Sequence, residues 1–202
     1  MTEKNGNELI EAYCVSCKDK RMMQNPEAVW TSQGRPGTQG TCPVCGSNMF
    51  RMGRTALHHN LKAPQPVEVV PGSAKGKKVK AAYIAADVTQ ADFADKLGQE
   101  LKQIGVPVWV DNGETADNTK WAGGIHPAME QCTHLVVVLS QWTSQTTSIQ
   151  NAIRHYLDER KPIIVAMAEA VDPPDAVRNR PRFDFTGDYK TAFRELVAAI
   201  SR

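Results

Sequence analysis

Four of the five cysteines form two C-x-x-C pairs, Cys14 with Cys17 and Cys42 with Cys45. Each pair places two thiolates on one tight turn, and two such turns facing each other supply the four sulfurs of a tetrahedral Zn²⁺ site. Four protein ligands leave no open coordination position, so we predict one structural zinc. The alternatives are two unrelated cysteine pairs or a redox dithiol, and the repeated spacing argues against both. Cys132 remains outside this pattern.

The segment between the two pairs is rich in turn-forming residues, with three glycines and one proline within 34–40. Such a segment cannot form one long helix. A strand pair over 20–33 and a short strand at 48–52 give the hairpin layout of a zinc ribbon. We therefore predict a small β zinc ribbon over 13–56, preceded by a flexible N-terminus at 1–12.

A stretch rich in Pro, Gly and Lys follows and predicts a linker over 57–78. Its lysines are expected to be solvated.

In 79–202 apolar runs alternate with amphipathic segments, which indicates βαβ units around a parallel sheet. The predicted strands are 79–86, 106–110, 134–139, 162–167 and a short one at 182–185. The predicted helices are 89–104, 119–131, 146–159 and 188–201.

Charge is distributed unevenly along the chain. Residues 1–80 carry 12 Lys/Arg against 6 Asp/Glu, whereas residues 81–202 carry 12 against 16. Zinc held by four thiolates would add a charge of −2 to the first part and leave it basic.

No apolar run reaches the roughly 18 residues that cross a bilayer, and the first residues lack the apolar stretch of a signal peptide. We expect a cytoplasmic protein with no membrane partner.

Residues 10–54 resemble a small, uncharacterised family of zinc ribbons related in pattern to the C-terminal ribbons of bacterial topoisomerases. That relationship implies contact with nucleic acid through phosphate contacts and stacking. The alternative is a solvated basic face with aromatic side chains packed beneath it. We expect the neighbouring His58 and His59 to be a solvated loop pair, since the cysteine set is already complete. The candidate nucleic-acid contacts are Arg21, Trp30, Arg35, Phe50, Arg51 and Arg54.

Four motifs stand out in 79–202: Ala82–Asp87 at the first strand, Gly105–Asp111 at the second, Trp121–Ile125 after the connecting loop, and Leu135–Ser140 at the third strand. In this order they resemble the motifs of the Toll/interleukin-1 receptor (TIR) domain family. The resemblance implies an α/β fold with a flavodoxin-like parallel five-stranded sheet. It also implies self-association or binding of a protein partner, characteristically through the loop at 111–120.

Some members of this family cleave NAD, and for them the resemblance implies a Glu six residues beyond a serine. Six residues after Ser144 stands Gln150, and no acidic residue lies between Ser140 and Asp158. An amide cannot oppose the positive charge that develops on the ribose as the glycosidic bond breaks. We therefore assign no catalytic residue, and Asp87 is the candidate substitute. The candidate ligand-binding residues are Asp87, Trp121, Ser140 and Gln150, with loop acids Asp111, Glu114 and Asp117 as further carboxylates.

Three functions are compatible with the sequence. The favoured one is an interaction or assembly protein, whose TIR-like domain binds itself or a partner and whose ribbon docks to protein or nucleic acid. The second is an NAD glycohydrolase, and the third is a nucleotide sensor that does not cleave its ligand. We interpret Cys132 and His134 as a buried thiol and a strand-edge imidazole rather than a nucleophile pair.

Overall fold

The computed structural model describes residues 9–69, 79–113 and 119–202. Most of the predicted N-terminal segment and residues 70–78 of the predicted linker therefore lie outside the described residues. The described chain forms two compact units. The first contains residues 9–66 together with 119–124, and the second contains the remaining described residues.

The first unit is an all-β structure in two antiparallel parts. A hairpin pairs β1 with β2, and a three-stranded sheet has the order β3-β4-β5. Glycines in β4 let the neighbouring strand approach, since a Cβ on Gly37 would lie 2.3 Å from the ring of Phe50. The strands are β1 (Glu11–Cys14), β2 (Asp19–Met22), β3 (Gln24–Trp30), β4 (Pro36–Thr41) and β5 (Asn48–Met52).

The apolar core of the first unit is small and includes two of the paired cysteines. Its buried members are Ile10, Ala12, Cys14, Met23, Cys42 and Met49. A core of this size is too small to stabilise an independent fold without a disulfide or a metal. The cysteines therefore contribute to packing as well as to any metal site.

The second unit contains a five-stranded parallel sheet with the order β10-β9-β8-β6-β7. This confirms the predicted flavodoxin-like α/β fold. The strands are β6 (Ala82–Ala85), β7 (Val108–Asp111), β8 (His134–Leu139), β9 (Ile163–Met167) and β10 (Arg182–Asp184). The helices are α1 (Ala91–Gln103), α2 (Pro127–Gln131), α3 (Thr147–Asp158) and α4 (Tyr189–Ser201).

Two apolar layers cover the two faces of this sheet. One layer packs α2 and α3 against side chains such as Tyr83 and Val137. The other packs α1 and α4 against side chains such as Ile84 and Val136. Because successive strand residues point to opposite faces, both faces are apolar and the central strands read as continuous apolar runs.

The predicted helix at 119–131 is wrong in its first half. Only Pro127–Gln131 is α-helical, and residues 122–124 form tight turns in which Gly123 and Gly124 have φ of 65° and 71°. Two consecutive glycines in the left-handed region followed by a proline stop the helix from extending backward. Among the described residues, no helix is long and apolar enough to cross a membrane.

The described part of the predicted linker contains two valines that pack into the second unit. Val69 is buried in the core of the second unit, and Val67 packs beside it. The backbone N–H of Val69 donates to the side chain of Gln131 at 2.9 Å, whose amide donates to the carbonyl of Val67 at 2.6 Å. Both valines thereby become part of the α2 face of the second unit.

Candidate functional site

The four paired cysteines converge on one point in the first unit. Their Sγ atoms all lie within 4.8 Å of one another. The Sγ atoms of Cys14 and Cys45 are 3.5 Å apart, and those of Cys17 and Cys42 are 3.8 Å apart. Sulfurs bound at about 2.3 Å to one tetrahedral ion are separated by about 3.8 Å. The donor set therefore fits a single metal ion.

Backbone and hydroxyl groups surround the sulfurs with hydrogen-bond donors. The N–H of Cys17 donates to Sγ of Cys14 at 3.4 Å, and the Ser47 hydroxyl lies 3.3 Å from Sγ of Cys45. Hydrogen bonds from the hydroxyl and the N–H of Ser47 lower the pKa of Cys45 to about 6. These donors stabilise thiolate, which is the form that binds a metal.

Cys17 has the opposite shift. A hydrogen bond to Cys45, with burial and the other two cysteines adding to it, raises the pKa of Cys17 to about 12. Crowded thiolates repel one another, so the last proton leaves only when a cation compensates the charge. The cluster is therefore a site whose full deprotonation depends on a metal.

The residues proposed to contact nucleic acid differ in their accessibility. Trp30 is buried, so it does not offer a free ring face for stacking. Its ring contacts His58 edge-on at 5.6 Å, and the Arg54 guanidinium lies 5.7 Å from its centroid. Arg21 pairs with its strand neighbour Asp19 at 3.3 Å. Of the two aromatic candidates, Phe50 is the exposed one.

The expectation of a solvated histidine pair is wrong for His58, which is only 1% exposed. Its Nδ1 accepts the backbone N–H of Thr55 at 3.2 Å, and Nε2 lies 3.4 Å from the carbonyl of Val29. His58 thus closes the short 3₁₀ helix Ala56–His58 against β3. His59, in contrast, is exposed.

Trp121 lies in the first unit, whereas Asp87, Ser140 and Gln150 lie in the second. The carbonyl of the preceding Lys120 accepts the N–H of Trp30 at 2.8 Å, and Trp30 and Trp121 form a parallel bridge. The Lys120 ammonium also pairs with Glu27 at 2.8 Å. Residues 119–124 thus extend along the edge of β3.

Asp87 and Ser140 meet at the carboxyl edge of the five-stranded sheet, where the Ser140 hydroxyl donates to Oδ2 of Asp87. Oδ1 of Asp87 accepts the N–H of Thr89 at 2.8 Å. Burial raises the pKa of Asp87, but the hydrogen bonds from Ser140 and Thr89 outweigh it and hold the pKa below its usual value. Asp87 is therefore an ionised, buried carboxylate.

Gln150 lies in the first turn of α3 and is turned toward the preceding loop. Its Nε2 donates to the carbonyl of Thr143 at 2.9 Å. The Thr143 hydroxyl in turn accepts the N–H of Ser140 at 2.9 Å. The Gln150 amide therefore braces the loop after β8, and α3 carries no carboxylate before its last residue, Asp158.

Glu169 is a carboxylate at this edge that the sequence interpretation missed. It follows β9, and its Oε1 accepts the side-chain amide of Gln90 at 2.6 Å. Its Oε2 accepts the N–H of Gln141 at 3.0 Å. The available signal was position, because residues directly after parallel strands gather at one edge of the sheet. Two carboxylates, Asp87 and Glu169, thus bond to the loop that begins at Ser140.

The other residues singled out from the sequence take no part in the hydrogen bonds described above wherever the structure describes them. Asp111 accepts the Tyr83 hydroxyl at 2.9 Å, while Glu114 and Asp117 lie outside the described residues. Burial raises the pKa of the Cys132 thiol to about 12, which keeps it protonated. His134 is buried, and its Nδ1 lies 2.8 Å from the Thr133 hydroxyl.

The parallel sheet has the order 2-1-3-4-5 when its strands β6 to β10 are counted from one, which is the flavodoxin-like order. The chain is thus a flavodoxin-like α/β protein with an additional four-cysteine β unit. The sequence model described as TIR domain matches residues 83–197, more than half of the chain. The chain therefore belongs to the TIR domain family. Residues 13–52, which contain the four cysteines, match a model described as a domain of unknown function (DUF5679). No curated protein matches the sequence.

A solved relative shares the fold. The TIR domain of the Toll-related receptor TRR-2 from Hydra magnipapillata superposes with a TM-score of 0.50 at 17% sequence identity. The match covers 60% of this chain and 98% of that one. At this identity the likeness shows the architecture and no more.

Proposed function

We propose that this chain is an assembly protein, whose TIR domain associates with another copy of itself or with a protein partner. A zinc ribbon at 13–56, joined by a linker over 57–78 to the TIR domain at 79–202, docks the assembly to a protein or a nucleic acid. TIR domains commonly self-associate or bind other proteins, and the family membership of residues 83–197 supports this reading.

The observation that carries the proposal is the hydrogen bond of Gln150. Its side-chain amide donates to the carbonyl of Thr143, and the first turn of α3 has no carboxylate that could contact a bound ribose. The two carboxylates nearby, Asp87 and Glu169, each accept hydrogen bonds from the protein at both oxygens. Groups held in this way brace the carboxyl edge of the sheet and favour a binding role over catalysis.

The metal of the ribbon is one Zn²⁺ bound by Cys14, Cys17, Cys42 and Cys45. Soft thiolate ligands in a tetrahedron select zinc or iron over magnesium and calcium, and zinc is the usual ion of closed four-cysteine sites. Two of these ligands, Cys14 and Cys42, are buried in the apolar core of the first unit, which is too small to stabilise the unit without the ion. The role of the ion is therefore to hold the ribbon folded.

NAD cleavage is the second candidate, and the pairing of Asp87 with Ser140 favours it. An ionised carboxylate with a hydroxyl beside it at the carboxyl edge of a parallel sheet suits contact with a ribose. The Asp87 carboxylate and the Ser140 hydroxyl could also bind NAD without cleaving it, which would make the protein a nucleotide sensor.

Long incubation of the concentrated, zinc-loaded chain with NAD, followed by chromatography for free nicotinamide, separates these functions. We expect no nicotinamide above a blank from the wild type or from Gln150→Glu. If the wild type releases nicotinamide and Asp87→Ala or Glu169→Gln does not, the protein is an NAD glycohydrolase and the proposed assembly function is wrong.

The ribbon's partner class is tested with the full chain and labelled DNA or RNA. Phosphate contacts make binding weaken steeply with salt, so a mobility shift at low salt that fades as salt rises supports a nucleic-acid partner. No shift at low salt removes that partner class and leaves a protein as the docking target.

A further inference from the structure

The outer strand of the five-stranded sheet, β7, is paired on one side only. On its inner side the N–H of Ala82 donates to the carbonyl of Pro107 at 2.9 Å, and the N–H of Ala86 donates to that of Asp111 at 2.8 Å. In a parallel ladder, alternate residues of a strand bond to one neighbour. The register therefore turns the backbone groups of Trp109 and Asp111 toward β6.

The backbone N–H and C=O of Val108 and Val110 consequently face away from the sheet. Within the described ranges, no other strand pairs with this side of β7. The side chains of Val108 and Val110 pack inward beside Gly98 of α1, in the apolar layer on that face of the sheet. An unpaired edge of this kind is a template for another strand.

A charged stripe on α1 runs beside this edge. Asp95, Gln99 and Lys102 are exposed, recur at steps of four and three, and border a groove along β7. Asp95 lies at the carboxyl end of β7, where the Asn112 amide is 3.4 Å from its carboxylate. Lys102 lies at the other end, since its carbonyl accepts the N–H of Gly105 in the turn that leads to β7.

We propose that β7 pairs antiparallel with β7 of a second copy of this chain, about a two-fold axis at Trp109. In that register Val108 of one copy faces Val110 of the other, and the outward groups of both residues form four hydrogen bonds. The two sheets join into one of ten strands. This surface gives the proposed self-association a specific location and rests on that function.

The charged stripe is complementary to its own copy in this arrangement. The two-fold axis reverses the direction of α1, so Lys102 of one copy lies beside Asp95 of the other, and Gln99 lies near its own counterpart. Within the described residues neither Asp95 nor Lys102 has an ion-pair partner in its own chain. The pairs favour the antiparallel register, because like charges would meet in a parallel one.

The test measures the dimer dissociation constant of the full zinc-loaded chain by sedimentation velocity, at concentrations of roughly 1 to 100 μM. Asp95→Lys and Lys102→Glu each turn two attractions into two repulsions and should raise that constant by about tenfold. The double variant restores both attractions and should dimerise like the wild type. An equimolar mixture of the two single variants should form a heterodimer. Lys190→Glu, a charge reversal at an exposed position of α4, should leave the dissociation constant unchanged.

The outcomes separate this surface from the proposed function. A wild type that dimerises while both single variants dimerise equally well places self-association on another surface, so the edge pairing is wrong and the assembly function stands. A double variant or a mixture that stays monomeric also contradicts the pairing. A wild type that remains monomeric throughout overturns the pairing together with self-association as the function.

Discussion

The hydroxyl of Ser140 donates a hydrogen bond to the carboxylate of Asp87 across the ends of two neighbouring parallel strands. Asp87 follows β6 and Ser140 follows β8, so the bond fixes two loops that are 53 residues apart in sequence. Ser140 also accepts the N–H of Trp142 at 3.0 Å, which orients its hydroxyl toward Asp87. A buried carboxylate held by such donors stabilises the fold most when it is ionised.

This arrangement predicts a pH-dependent contribution of Asp87 to stability. Its pKa is lower in the folded state than in the unfolded chain, so its contribution is complete above the unfolded value near 4 and is lost as pH falls through the folded value. Asp87→Asn should lower the free energy of unfolding by about 1–3 kcal/mol at pH 7 and by less near pH 3. Urea unfolding of both proteins at the two pH values measures this difference.

Comparing the variant with the wild type at each pH removes the effect of acid on the cysteine cluster, which is the same in both. Asp172→Asn, at an exposed loop position, is the matched control and should change stability little at either pH. A loss in Asp87→Asn that is equal at pH 7 and pH 3 would show that ionisation of Asp87 does not stabilise the fold.

The order of strands and helices could be predicted because the sheet is buried on both faces. Runs such as Leu135–Leu139 are continuously apolar, and this pattern is typical of a strand that is covered on both faces. The segment at 119–131 could not be predicted, since the bonds that hold residues 119–124 are long-range ones to β3. Local periodicity carries no information about such bonds.

The four cysteines could be identified from spacing alone, because two C-x-x-C turns bring their ligands together locally. Glu169 could not be identified in this way, because its hydrogen-bond partners Gln90 and Gln141 are distant in sequence. The three residues come together only because the strands that precede them lie side by side in the sheet. The burial of His58 could not be predicted for a similar reason, because it depends on packing against Trp30, which is distant in sequence.

Removal of the metal should unfold the first unit and leave the second folded. Without the ion the small apolar core lacks the bonds that join its two turns. A strong chelator should release about one zinc per chain, as expected for one four-cysteine site. Trp30 should then become exposed, with a red shift of its fluorescence that zinc reverses and magnesium does not.

Cysteine substitutions provide the matched comparison for the metal. Cys42→Ser should abolish binding of the ion, whereas Cys132→Ala should retain about one zinc per chain, since Cys132 lies in the core of the second unit. Equal zinc content in the two variants would contradict the four-cysteine site, and so would a chelated protein with unchanged Trp30 fluorescence.

The two adjacent histidines should respond very differently to substitution. His58→Ala removes a buried ring that accepts from Thr55 and packs against Trp30, and we expect a loss of about 1–3 kcal/mol in stability. His59→Ala removes an exposed side chain and should cost at most about 0.5 kcal/mol. Thermal unfolding of the zinc-loaded variants measures both effects, and both variants should keep their zinc. Equal melting temperatures would contradict the structural role of His58.

Close packing of α1 on β7 makes Gly98 intolerant of a side chain. A Cβ at this position would lie 2.5 Å from Cγ2 of Val110, well inside van der Waals contact. Alanine in a helix interior gains about 1 kcal/mol over glycine, while overpacking of a core costs about 1–3 kcal/mol. We expect the clash to exceed the gain, so Gly98→Ala should lower stability in urea unfolding.

Two further variants test whether the clash is the cause. Gly187→Ala has open space around its Cβ and should leave stability almost unchanged. Val110→Ala combined with Gly98→Ala removes the methyl group that the new Cβ meets, so the double variant should lose less stability than the sum of the two single ones. Strict additivity would show that the helix and the strand do not press on each other at this point, and the cost of Gly98→Ala would then have to arise within α1.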